Sequence, residues 1–151
     1  MELEQFYLAL KTAFASEYAF LVKAQNFHWN VVGRLFAQDH GLFERIYTEV
    51  EGIVDDFAEN LRKVGTFVPA SLAQMGDLSV VADAAEVGDA PPPAELMMQM
   101  LLDDSDRMVS LFRVLFELAE EYGYHGLSNF LADRQDAHSK HSWMLRSSLR
   151  V

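Results

Sequence analysis

His28 and His40 are two imidazoles twelve residues apart on either side of Gly33, and Trp29 follows His28 directly. Fifteen residues beyond His40 begins Asp55-Asp56-Phe57-Ala58-Glu59, which sets carboxylates at Asp55 and Glu59 one helical turn apart. Imidazole and carboxylate together suit iron, zinc or manganese. The chemistry therefore depends on whether the elements carrying these residues can bring all four to one ion.

Within one chain they cannot. On a continuous second helix from about Ala37 to Val64, each residue adds about 100° and 1.5 Å. With His40 at zero, Glu44 falls at about 40°, Asp55 at about 60° and Glu59 at about 100°, so all share one side. Along the axis, however, His40 and Asp55 lie roughly 22 Å apart, against metal–ligand bonds of about 2.0–2.2 Å. Folding the first helix back around Gly33 and Arg34 brings His28 towards His40 and makes one half-site. Asp55 and Glu59 make another, far from it. A two-fold dimer with antiparallel second helices sets each half-site against its complement on the partner, and symmetry then yields two equivalent mixed sites. The plainer reading is structural histidines at a turn and a solvated carboxylate pair. Against it, Asp55 and Glu59 sit among Ile53, Val54, Phe57 and Leu61. Like charges in that company are costly without a cation or a partner chain between them.

The positioning elements read as four long helices. The first spans Glu2 to about Asn30, with Leu3, Phe6, Leu10, Phe14, Phe20 and Leu21 close to helical spacing. The second closes at Gly65, where a helix C-terminal glycine is expected. Residues 66–92 form a long connection with a short helix predicted over Ser71–Met75. A third helix starts near Pro93, a residue suited to a first turn, and runs to about Tyr122. Gly123 and Gly126 bracket a tight turn, and a fourth helix continues to about Ser148. The expected class is all-α, a ferritin-like four-helix bundle whose long crossover between the second and third helices carries a short extra helix. The 151 residues are read as one domain, 1–151.

Composition narrows the function. Half the residues are hydrophobic, which favours a packed core over disorder. No cysteine is present, so disulfides, thiolate catalysis and Cys-based metal clusters are excluded. The formal charge of −11 favours solubility and attracts cations while repelling phosphate backbones. Met1 leads directly into Glu2, Leu3 and Glu4 without a signal-peptide pattern, and no apolar run reaches membrane-spanning length. The expected location is cytoplasmic.

The stretch from Ala24 to Gly33 with its His28–Trp29 pair, Phe36, His40, Glu44 and the Asp55–Glu59 run resembles the Dps family of miniferritins, named for DNA protection during starvation. Pro69-Ala70-Ser71-Leu72, His138, Lys140 and Trp143-Met144-Leu145 extend the resemblance over nearly the whole chain. It implies a hollow dodecamer built from two-fold dimers, with ferroxidase centres at the dimer interfaces. His28 and His40 match the ligands of one subunit, and Asp55 and Glu59 those of the other. Glu44 matches an acidic position that assists the site, and Trp29 an aromatic that traps oxidising equivalents. The implied activity is oxidation of ferrous iron by hydrogen peroxide, or by oxygen, with ferric iron stored in the shell. Zinc or manganese suits the same ligands.

Several features depart from that pattern. The acidic N-terminus, with only Arg146 and Arg150 near the other end, argues against strong DNA binding. The alternative function is a DNA-binding nucleoid or structural shell protein with little ferroxidase activity. His125 and Asn129 stand where family members place pore-lining aspartates, so the ion route is less acidic or shifted to Asp133 and Asp136; ordinary exposed polar residues are the simpler reading of His125 and Asn129. A single-chain di-iron centre needs Glu-x-x-His, and the residues three before the five histidines are Gln25, Ala37, Tyr122, Gln135 and His138. His138 and His141, spaced i,i+3, are expected on a solvated helix face.

Overall fold

The computed structural model describes residues 2–84 and 90–150. In chain order the helices are α1 (Leu3–Asn30), α2 (Phe36–Glu51), α3 (Val54–Lys63), α4 (Leu72–Leu78), α5 (Ala94–Glu121) and α6 (His125–Leu149). α1 pairs with α2 and α3 as one hairpin, α5 with α6 as another, and the crossover carrying α4 packs against α1. This is the expected ferritin-like bundle. Among the described residues, no helix is long and apolar enough to cross a membrane.

The α1 stripe of Phe6, Leu10, Ala13, Phe14, Phe20, Leu21, Ala24 and Phe27 is buried against the other helices. Phe57 of α3 reaches the same core, edge-on to Phe14 at 5.5 Å and close to Phe112 and Phe130 at 6.0 and 5.1 Å. Each fully buried Phe contributes roughly 1.5–3 kcal/mol of transfer free energy. Phe57 also orients α3. Residues two positions either side of an inward side chain point away from it, and Asp55 and Glu59 are both exposed.

The second helix is not continuous, contrary to the sequence-based expectation. α2 ends at Glu51 and α3 begins at Val54. The Ile53 N–H donates to the Val50 carbonyl at 3.1 Å, three residues back, and the regular ladder resumes when Phe57 donates to Ile53 at 2.9 Å. The break falls at Gly52, a residue that lowers helix propensity by about 1 kcal/mol relative to Ala. Its consequence is local and electrostatic. Asp55 and Asp56 occupy the first turn of a new helix, whose unpaired N–H groups favour carboxylates.

Gly65 closes α3 with φ +105°. Its N–H donates to Arg62 at 3.1 Å and that of Thr66 to Leu61 at 3.2 Å, the paired bonds of a left-handed helix ending. The Tyr7 hydroxyl donates to the Val64 carbonyl at 2.7 Å and ties this end to α1. Gly123 closes α5 in the same way, and α6 starts at His125. Gly126 therefore lies inside the helix rather than in the turn. In the crossover, Ser71 caps α4 by accepting from the Gln74 N–H, and the helix runs to Leu78, three residues beyond the expected end. Ser16 of α1 accepts from the Val80 N–H at 2.9 Å, and Arg107 of α5 donates to the Val80 carbonyl at 3.2 Å. The long connection is thus pinned to both hairpins.

Candidate metal centre

The α1–α2 hairpin sets His28 and His40 face to face, with ring centroids 3.7 Å apart and planes inclined by 16°. His28 Nδ1 lies 2.8 Å from the His40 carbonyl oxygen, and His40 Nδ1 lies 2.7 Å from that of His28. A carbonyl only accepts, so both Nδ1 atoms carry hydrogen, which in a neutral imidazole leaves the lone pair on Nε2. Fixing the tautomer through the second ring nitrogen is how proteins prepare a metal-binding imidazole. Phe36 stacks on the outer face of His40 at 4.9 Å, and Tyr47 stands against His28 at 5.1 Å. His28 is buried and His40 half-buried, so His40 is the more accessible of the pair.

Asp55 and Glu59 lie apart from this pair, exposed on the outward face of α3. A cavity of about 410 Å³ opens beside Asp55 between α1 and α3, lined in part by Tyr18, Val22, Gln25 and Glu51. Among the described residues, no three His, Asp or Glu side chains form a group that could hold an ion. Within one chain the histidine pair and the carboxylate pair therefore stay separate. Glu44 is exposed one turn beyond His40, and Trp29, adjoining His28, is 67% exposed. The hairpin brings His28 and His40 together and leaves the four acidic and aromatic candidates at the surface.

Comparison with known proteins places this geometry in a family. The ferritin-like domain pattern matches residues 7–151. The chain is 32% identical to the DNA protection during starvation protein of Brevibacillus brevis over 85% of its length and 83% of that protein's. It is 30% identical to general stress protein 20U of Bacillus subtilis over 97% of its length and 98% of the relative's. The chain belongs to the Dps family of ferritin-like proteins. Its fold superposes on the crystal structure of Dps from Staphylococcus aureus with a TM-score of 0.90, at 27% identity, covering 99% of this chain and 98% of the other. The Dps fold accounts for the bundle and its crossover.

A second polar cluster, inside the Dps bundle, was not anticipated from sequence. His138 and His141 are 0% and 2% exposed, not on a solvated face as expected. The face of α6 that carries them also carries Leu127, Leu131 and Leu145, and it points into the core. His138 Nε2 lies 2.6 Å from Glu17 Oε1, and His141 Nε2 lies 2.8 Å from Glu49 Oε1. Arg134 joins the carboxylates. Its Nε donates to Glu17 Oε2 at 3.1 Å, and its terminal nitrogens donate to both oxygens of Glu49 at 2.5 and 3.0 Å. Burial alone would raise the Glu17 and Glu49 carboxyls, but their histidine and arginine partners outweigh it and hold both below the ordinary range, Glu49 at about 2. The available signal was Glu17 within Ala13–Leu21, a charge on the apolar stripe of α1.

At the α5–α6 corner, His125 is exposed and lies 3.3 Å from a Glu120 oxygen, while the Ser128 hydroxyl donates to the same carboxylate. Asn129, Asp133 and Asp136 are exposed on α6.

Proposed function

We propose that this chain is a miniferritin subunit that oxidises ferrous iron at centres shared across two-fold dimers and stores the ferric product in a hollow dodecamer. Iron is the substrate and cargo. The observation that carries the reading is the reciprocal bonding of His28 and His40, which occupies both Nδ1 atoms and leaves Nε2 of each ring as the candidate ligand atom. Asp55 and Glu59 of the partner subunit supply the anionic oxygens that favour the ferric state. Two ferrous ions give one electron each to hydrogen peroxide, which takes two protons and leaves as two waters. Peroxide and iron are consumed together, and hydroxyl-radical formation is suppressed. Glu44 draws cations towards the histidines, and Trp29 takes up stray oxidising equivalents. The names of the relatives, one for DNA protection during starvation and one for general stress, support a protective role.

Mixed assembly tests the shared site. Subunits carrying His28→Ala and His40→Ala lose one half-site, and subunits carrying Asp55→Ala and Glu59→Ala lose the other. Each variant alone should be inactive in peroxide-driven iron oxidation. Dissociated, mixed in equal amounts and reassembled, they should recover about a quarter of the wild-type centres, because half of random dimers are mixed and each holds one intact site. Mixed shells no more active than either parent would refute a centre built from two subunits.

A further inference from the structure

We infer that the interior of the bundle is kept neutral by a proton resident on His138 and shared with Glu17, a charge built into the fold and separate from the iron site. The hydrogen bonds count it. The Ser105 hydroxyl has one proton, and it lies 2.9 Å from the His138 carbonyl oxygen, which can only accept. The same Ser105 oxygen lies 3.0 Å from His138 Nδ1, and with the hydroxyl proton given to the carbonyl it is Nδ1 that donates there. At the other side of the ring, Nε2 faces the Glu17 carboxylate at 2.6 Å and donates again. A ring that donates from both nitrogens is an imidazolium. Phe20 and Phe112 lie 4.9 and 5.8 Å from it, Phe20 at 74° to the ring and Phe112 stacked at 27°, and the stacked face favours a cation.

Electroneutrality gives the same answer. Glu17 of α1, 1% exposed, and Glu49 of α2, 33% exposed and so partly screened by solvent, bring two negative charges, and Arg134 of α6 brings one positive. α5 faces the ring with Ser105 and Phe112, neither of them charged. One further cation closes the balance. His141 is the wrong place for it, since its Nε2 already serves Glu49 while its buried Nδ1 has no partner among the described residues. A proton there would be an N–H without an acceptor. Burial indeed holds His141 towards its neutral form, pushing its pKa down. His138 has an acceptor for each nitrogen.

The consequence is a fold that depends on proton occupancy. Losing the proton would leave a buried carboxylate charge uncompensated, which is strongly destabilising.

Solid-state NMR of the sedimented full assembly, labelled with 15N-histidine, tests this directly. At about pH 7.5, one of the five histidines should show two protonated ring nitrogens, and that signal should vanish in His138→Gln. A wild-type spectrum without a doubly protonated histidine would overturn the inference, whether or not the variant folds. His138→Gln should melt about 10 °C lower. Adding Glu17→Gln should restore more than half of the loss by removing the unpaired charge. A double variant no more stable than His138→Gln would also overturn it.

Discussion

His28 and His40 are each hydrogen-bonded to the other's backbone carbonyl, with Nδ1 to carbonyl distances of 2.8 and 2.7 Å in the two directions, while their rings stack. Replacing one side chain leaves the carbonyl that orients the other. Each single Ala variant should therefore assemble normally and keep the remaining imidazole in its ligating tautomer. Loss of a ligand should still weaken iron binding by more than about 10-fold, given that losing only an outer partner costs 10–100-fold. The double variant should lose the fast phase of peroxide-driven oxidation, followed by stopped-flow absorbance of ferric product. An undiminished rate would remove these residues from the site.

Gly65 is a structural position with a specific penalty. At φ +105° an added Cβ is strained, and it would stand 3.2 Å from the Tyr7 hydroxyl that secures Val64. Gly65→Ala should cost about 1–3 kcal/mol, read as a lower denaturation midpoint. Tyr7→Phe, which loses only the hydrogen bond, should cost about 1 kcal/mol.

Acid should weaken the bundle through Glu49. Its carboxyl is held at about 2 against an ordinary 4.5; burial opposes this, and the hydrogen bonds from His141 and Arg134 together with the Arg134 charge overcome it. A depressed carboxylate contributes stability that is fully present above about pH 4.5 and is lost as pH falls towards 2. Melting curves across that window should show a steep decline in the wild type. Glu49→Gln should be less stable near neutrality and should show a flatter acid limb. An unchanged acid limb would separate Glu49 from acid sensitivity.

Purified protein should not retard duplex DNA in a gel shift at about 0.15 M salt, where charged surfaces are screened beyond about 8 Å. A chain of charge −11 has few cations with which to release phosphate counterions. Tight binding at that salt would favour the nucleoid reading over an iron-handling shell.

Much of this protein is readable along the chain. The types and spacing of His28, His40, Asp55 and Glu59 are read directly, and helix rise gives the rough separation of the histidine pair from the carboxylate pair. The crossover and the glycine endings at Gly65 and Gly123 carry local signals that neighbouring residues satisfy. Gly52 was visible too, yet a lone glycine is often tolerated within a helix, so the break there needed the backbone bonds of Ile53 to declare it.

Tertiary structure decided the rest because it rests on partners distant in sequence. Period alone cannot distinguish the buried face of α6 from a solvated one when that face carries Arg134, His138 and His141 among leucines. Their meaning depends on Glu17, 117 residues before Arg134, and on Glu49, 85 residues before it. The tautomers of His28 and His40 likewise follow from carbonyls that meet only when the hairpin closes. Sequence supplied the candidate residues and the expectation of a second subunit. Packing supplied the protonation states, because a proton's place is set by the acceptors around it.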